Sequence, residues 1–311
     1  MKKGLLVLLV IAMLLLGCRA EESCARQTIF CMDTVMDLQI WGADREKAMA
    51  DVIRMLEALE KTWSATDKNS FLAALNRGET APNDEQRALL DLALSLQAQT
   101  GGAFDPQLHS VVTLWGFYDD NYRIPSAQEL QTAQLEKKWD LGGILKGYAG
   151  DLAAEILERY DIERAILNLG GNVQTYGQKS DHTAWNIGIQ NPNGTGYLGQ
   201  LAVAGKMSVV TSGDYQRNFE LNGKRYHHIL DPQTGCPAES GLCSVTVVCV
   251  DGGMADALST ALFVMGLERA TAFWRQSEGF EAVFVLSTGE IYATEGAALS
   301  GCQYEVIRHE N

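Results

Sequence analysis

The chain has 311 residues, 39 acidic side chains against 25 basic ones, and a formal charge of −14 at pH 7. With 46% hydrophobic and 21% charged residues it has the composition of a folded protein, which excludes disorder over most of its length. The acidity excludes a nucleic-acid partner, because a phosphate backbone is bound by neutralising it with Lys and Arg.

The start of the chain stands apart. Lys2 and Lys3 precede an apolar run over residues 5–16, which leads into Gly17-Cys18. That run is shorter than the ~20 residues needed to span a bilayer, and its basic start and small-residue exit read as a secretory signal. Leu15-Leu16-Gly17-Cys18 resembles the bacterial lipobox, which implies cleavage before Cys18, diacylation of its sulfur, and a protein anchored by lipid on the outer (periplasmic or extracytoplasmic) face of the cell membrane. The expected organisation is a signal peptide over 1–17, the lipidated Cys and a polar tether over 18–27, and one domain over 28–311. Of the other cysteines, none has zinc-ligand spacing, and Cys249 reads as a buried thiol in an apolar strand. Their pairing is left open by the sequence.

In chain order, residues 44–63 put Ala48, Val52, Met55, Leu56 and Leu59 on one helical face, with Asp44 as the N-cap. A second helix is expected over 84–99, with Asn83 and Gln86 in capping-box spacing and Gly101 as the stop. A third is expected over 147–160. The second half changes character: 165–169, 185–189, 201–210 and 244–250 read as strands rich in β-branched residues. Asn222-Gly223 predicts a two-residue hairpin turn between 217–219 and 226–228. Helices over 254–265 and near 269–276 follow, then a hairpin pairing 282–286 with 290–293. With no repeat, low-complexity tract or linker, the reading is a single mixed α/β domain.

Nucleotide-binding glycine fingerprints and the serine-hydrolase elbow are missing. Six polar and glycine-rich clusters stand out instead. Residues 101–106 end a helix with two glycines and offer Phe104 as a flat face. Residues 140–148 place Gly142 and Gly143 before a helix N-terminus, where Lys146 adds the positive charge a pyrophosphate needs. Residues 168–172 end a strand in glycines, and 211–215 form a hydroxyl-rich turn. Residues 227–235 carry two histidines, of which one can face a given site as a general base while the other is a solvent-exposed strand residue. Residues 255–262 put Asp256 and Thr260 four apart on one helical face, an arrangement suited to a hard cation such as Mg²⁺, or to an Asp on the helix dipole and a Thr bonded back to a carbonyl.

In this order and spacing, from about Phe30 to Gly266, the six clusters resemble the FAD:protein FMN transferase (ApbE) family of bacterial enzymes. The resemblance implies an α+β fold, a single domain with a mainly antiparallel β core and flanking helices. It implies Mg²⁺-dependent transfer of FMN from FAD to a threonine hydroxyl of an acceptor protein, through a phosphoester, with release of AMP. The acceptor it suggests is a membrane electron-transfer subunit or an exported flavoprotein. Carried over by motif, the FAD contacts fall on Met32, Thr66, Ala103, Phe104, Asp105, Asp140, Lys146 and Ile229. The metal ligands fall on the side chains of Asp256 and Thr260 and the carbonyl of Gly143, and the catalytic base on His228. The same site is compatible with FAD hydrolysis to FMN and AMP, or with flavin binding alone. The chain departs from the family pattern at Asp33, where a Gly is common, at Thr66, where an aromatic is common, and at Asn172, where an Asp is frequent.

Overall fold

A computed structural model describes residues 23–192 and 194–309, so Cys18 and the signal segment lie outside the described residues. The chain opens with an antiparallel hairpin of β1 (Cys24–Cys31) and β2 (Thr34–Gly42), whose turn residues Met32 and Asp33 both have positive φ, the signature of a type I′ turn. Residues 24–27, expected as tether, therefore belong to the sheet. Next come α1 (Arg45–Trp63), α2 (Phe71–Asn76), α3 (Asp84–Gln99), α4 (His109–Trp115), α5 (Ala127–Leu135) and α6 (Leu145–Leu157). Strands β3 (Ile162–Asn168), β4 (Asn172–Tyr176), β5 (Trp185–Gln190), β6 (Tyr197–Val203), β7 (Met207–Gly213), β8 (Asn218–Leu221), β9 (Lys224–His227) and β10 (Leu242–Cys249) follow. The chain then forms α7 (Gly252–Arg275), β11 (Phe280–Leu286), β12 (Ile291–Thr294), β13 (Leu299–Ser300) and β14 (Glu305–Ile307).

Nine strands form one sheet in the order β1-β2-β3-β4-β7-β10-β11-β12-β14, antiparallel throughout except for the parallel pair β12 and β14. Successive residues of its central strands divide between two cores. Val210, Val247, Ala282 and Phe284 pack toward α7, whereas Val209, Val248 and Val283 pack against a smaller sheet of β13, β6 and β5. This is why every residue of β10 is buried and why its sequence runs apolar without alternation. The α+β architecture with a mainly antiparallel core is the expected one.

Several local expectations change. The stretch 201–210 is not one strand: it breaks at Gly205, whose φ is +78°, and supplies β6 to the small sheet and β7 to the large one. Asp44 occupies the N-cap position of α1, but its carboxylate takes Lys47 at 2.8 Å instead of capping the helix. The Asn83–Gln86 capping box forms with both bonds, and Asn222-Gly223 joins β8 to β9 with both residues at positive φ. The helices expected over 254–265 and 269–276 run together as α7, with a non-helical Gly266 (φ 74°, ψ 168°) between them. Helix α6 starts two residues earlier than expected and ends at Leu157. Cys249 is buried and free, as are Cys31 and Cys243.

Candidate active site

A cavity of about 650 Å³ opens between the large sheet's β4 and β7 ends, the helices and the β8–β9 hairpin. It is lined by all twelve residues assigned above to FAD, the metal and the base, from Met32 to Thr260. A volume of this size lies within the usual range for small-molecule sites.

The metal-ligand candidates sit where α6 and α7 cross. The crossing needs Gly147 and Gly252: a Cβ on Gly147 would lie 1.9 Å from the Gly252 carbonyl oxygen, and one on Gly252 would lie 2.4 Å from that of Gly147. Each helix then lends a carboxylate to the start of the other. Asp256 Oδ2 accepts the Gly147 N–H at 3.0 Å, while Asp151 on α6 accepts from Gly252 N at 2.8 Å and Gly253 N at 2.9 Å. These bonds satisfy N–H groups that a helix start leaves unpaired. Burial pushes the Asp151 carboxyl up to about 6, against the pull of those two N–H donors. Asp256 is buried, and Thr260 one turn later shares a hydroxyl contact of 3.2 Å with Ser212 on β7. Gly143 lies close by: a Cβ there would meet Thr260 Oγ1 at 3.5 Å and the Phe104 ring at 3.3 Å. Carboxylate, hydroxyl and carbonyl are all oxygen donors, which suits a hard cation that keeps water or phosphate in its remaining positions. No group of three or more His, Cys, Asp or Glu in metal-holding geometry occurs among the described residues. A cation here would thus depend on a single protein carboxylate.

His228 follows β9 at the cavity wall. The Arg217 carbonyl accepts its backbone N–H at 3.0 Å and stands 3.2 Å from its Nδ1. A carbonyl can only accept, so Nδ1 carries the proton and Nε2 keeps its lone pair. Burial, reinforced by the Arg217 charge, pushes the imidazole down to about 3, so it is neutral near pH 7. His227 was expected on the solvent side and is instead buried, its Nε2 3.2 Å from the Ala238 carbonyl and its ring edge-on to Phe263. Alternation along the strand still holds; the opposite face is core rather than water. The hairpin is anchored by aromatic stacking of Phe219 on Tyr226 and Tyr122, and by Trp115, whose indole N–H donates to the Gly235 carbonyl at 2.7 Å.

The remaining candidates line the walls. Phe104 and Ala103 are buried beyond the α3 C-terminus, and Asp105 is held by Lys137 at 3.3 Å and by the Gln107 N–H at 2.9 Å. Asp140 accepts the Gly142 N–H at 2.9 Å and a short bond from Tyr118, whose phenol burial and this carboxylate push well above its ordinary pKa. Lys146 is half-buried and, among the described residues, its ammonium reaches the Gly142 carbonyl at 3.4 Å. Ile229 is buried, and Thr66 is exposed at the rim with a 3.1 Å contact to Ser64. Tyr118 and Arg217 were missed by sequence reading. Tyr118 follows a Gly116 at positive φ that ends α4, and Arg217 lies on the β8 approach with its guanidinium 3.7 Å from Asp33 across the mouth. Neither sits in a glycine or histidine motif, so only the tertiary contacts bring them into view.

The family model for the ApbE family matches residues 32–284. The chain belongs to the ApbE family. It is similar to proteins named FAD:protein FMN transferase from Treponema pallidum, 35% identical over 82% of this chain and 81% of that one, and from Salmonella typhimurium, 30% identical over 93% of each. Its fold is similar to that of the ApbE protein of Thermotoga maritima, with a TM-score of 0.82 and 31% identity over 88% of this chain and 97% of that one. The flavinyl transferase ApbE of Pseudomonas stutzeri is also similar, with a TM-score of 0.75 and 28% identity over 90% and 95%. This ApbE chain carries Asp33 at the second turn position of its first hairpin, with φ +57°, a conformation that Gly adopts without penalty.

Proposed function

We propose that this ApbE protein transfers FMN from FAD to a threonine hydroxyl of an acceptor protein and releases AMP, with Mg²⁺ as cofactor. The observation that carries the reading is the convergence on one cavity of a neutral imidazole with a free Nε2, the half-buried Lys146, and the oxygen donors of Asp256, Thr260 and Gly143. In the proposed reaction the threonine oxygen attacks the phosphorus on the FMN side of the diphosphate. A new P–O bond forms, the bond from that phosphorus to the bridging oxygen breaks, and AMP departs with the bridging oxygen. The threonine proton passes to His228 Nε2, for which the Nδ1 contact to the Arg217 carbonyl holds the required tautomer. Mg²⁺ held by Asp256, Thr260 and the Gly143 carbonyl would supply Lewis-acid stabilisation of charge on the phosphate oxygens. Lys146 adds a positive charge from the start of α6, and Phe104 and Ile229 give apolar walls.

Lipidation of Cys18, which would place the enzyme on the outer face of the cell membrane near a membrane electron-transfer subunit or an exported flavoprotein, is part of the same proposal. No helix among the described residues is long and apolar enough to cross a membrane.

The test is incubation of the purified protein with FAD, Mg²⁺ and a candidate acceptor domain, followed by in-gel flavin fluorescence and mass spectrometry of the acceptor. An FMN adduct on threonine is expected, and His228→Asn should slow its formation roughly 10²- to 10⁴-fold with FAD still bound. AMP released at the same rate without acceptor points to hydrolysis, and FAD bound without turnover points to a carrier; either result overturns the transferase reading.

A further inference from the structure

Asn172 is the one cavity-lining residue whose polar side chain is buried and makes no hydrogen bond among the described residues. It is 4% exposed, its Nδ2 has no partner, and it opens β4 immediately after Gly170 and Gly171. Buried amides in native proteins are bonded almost without exception, so one left free at a cavity wall asks for a ligand.

The sheet register says where that ligand lies. Asn172 stands opposite Val210 on β7, on the face where Gln174 meets Ser208 and where Ser212 meets Ser259 and Thr260. Strand β4 stops at Asn172, whereas β7 runs on to Gly213. The end of β7 therefore has no β4 neighbour, and Ser212 is one diagonal step from Asn172 on the same face, roughly 7–8 Å between backbones. Gly170 lets the turn that leads into β4 close against the start of β2: its φ is +78°, and a Cβ there would lie 2.2 Å from Thr34 Oγ1. The Asn172 carboxamide is thus set beside the Ser212–Thr260 contact, on the side of the cavity that holds the oxygen donors.

We infer that Asn172 is a substrate-contacting residue, whose N–H donates to a diphosphate oxygen of FAD. The inference rests on the proposed function and deepens it. The nearby groups at this end are a carboxylate, hydroxyls and a carbonyl, so an anionic oxygen entering among them gains most from a neutral donor. An Asp at this position would accept only, and would add a second negative charge near Asp256.

The experiment compares the full-length protein with Asn172→Ala and Asn172→Asp, measuring thermal unfolding without ligand and the affinities for FAD, ADP and riboflavin at several Mg²⁺ concentrations. Because the amide bonds to nothing in the protein, Asn172→Ala should unfold at or above the wild-type temperature. It should bind FAD and ADP about 10- to 100-fold more weakly, as expected for a hydrogen bond to a charged oxygen. Its riboflavin affinity should not change, since riboflavin has no phosphate. Asn172→Asp should lose as much or more at low Mg²⁺ and recover as Mg²⁺ rises, whereas the Ala variant should not recover. Unchanged FAD affinity in Asn172→Ala overturns the contact, as does an equal loss for riboflavin, which would move it to the flavin ring. A variant that unfolds well below wild type assigns the amide a structural role and also overturns it. Wild-type protein that binds no FAD removes the functional reading itself, a result distinct from all of these.

Discussion

Two glycines on α6 are expected to respond very unequally to the same added methyl group. In Gly147→Ala the new Cβ would stand 1.9 Å from the Gly252 oxygen, 2.5 Å from its carbon and 2.8 Å from Asp256 Cβ. Two of those three atoms are backbone, so no side chain can swing away, and α6 and α7 must part by about 1.5 Å to restore ordinary contact. Parting them costs about 1–3 kcal/mol in packing and strips the buried Gly147 N–H of Asp256, a further 1–3 kcal/mol, against a gain of about 1 kcal/mol in helix propensity. The expected net loss is about 3 kcal/mol. In Gly150→Ala the Cβ meets the Gln174 side-chain oxygen at 3.1 Å; that side chain is buried and bonded to Ser208 and to the Thr175 carbonyl, so shifting it by a few tenths of an ångström offsets the gain of about 1 kcal/mol in helix propensity and stability should stay close to wild type. Urea unfolding of both variants measures the contrast, and FAD binding against Mg²⁺ reads the site. Gly147→Ala should weaken the Mg²⁺ dependence because Asp256 moves with α7. Equal stability of the two variants would refute the crossing as the constraint. A destabilised Gly147→Ala with unchanged Mg²⁺-dependent binding would refute its transmission to Asp256.

The Asp151 cap predicts an inverted pH dependence. The folded protein keeps this proton up to about pH 6, while the unfolded chain gives it up near 3.8, so the group's contribution is present in full below 3.8 and is lost as pH rises through 6. The window amounts to at most about 3 kcal/mol, less where water reaches the half-buried carboxylate. Urea unfolding at pH 4.5 and pH 7 should show wild type losing ground to Asp151→Asn across that interval; a difference independent of pH would count against the shifted carboxyl. The two adjacent histidines, pushed down to about 4 and about 3 by burial, should both remain neutral at pH 5 in the substrate-free protein. Imidazole NMR titration with single His227 and His228 variants for assignment checks this, and protonation of either near pH 6.5 would contradict it.

What was legible in the sequence followed from local chemistry. The Asn83–Gln86 box and the Asn222-Gly223 turn each specify a backbone geometry within four residues, and both form as read. The two-helix reading around Gly266 holds in substance, because a residue at φ 74° and ψ 168° interrupts α7 where the apolar pattern falters. The stretch 201–210 failed because apolar residues run through both of its strand segments and only a short turn at Gly205 separates them; which sheet each joins is decided by partners far along the chain. Helices α2, α4 and α5 are six to nine residues long, too short for periodicity to register, although Ser70 and Ser126 do cap two of them. Among site residues, motif spacing reached those next to glycines, histidines and the Asp256–Thr260 pair. It missed Tyr118 and Arg217, whose place depends on Asp140 and Asp33 folding over them.

The charge of −14 bears on how such a site can work at all. Asp33, Glu60, Asp105, Asp140 and Asp256 all line the cavity, against Lys146 and Arg217. Each of these acids has a local donor: Arg217 for Asp33, the Met32 N–H for Glu60, Lys137 for Asp105, Tyr118 and the Gly142 N–H for Asp140, and the Gly147 N–H for Asp256. Backbone and phenol donors hold a carboxylate in place without cancelling its charge, and Arg217 already faces Asp33. Lys146 is then the cavity cation without a carboxylate partner among the described contacts, and one ammonium cannot balance a diphosphate. Two unit charges 4 Å apart at a protein surface interact by about 4 kcal/mol, so each uncancelled anion near the phosphates matters to binding. A divalent cation at Asp256, Thr260 and Gly143 would change that balance at the point where the diphosphate must lie, and a neutral amide at position 172 would avoid adding to the deficit. The same reasoning couples FAD and the proposed cation in binding: the cation would offset the repulsion that the diphosphate meets from these acids, the diphosphate would add anionic oxygens that hold the cation, and by linkage each strengthens the other by the same factor.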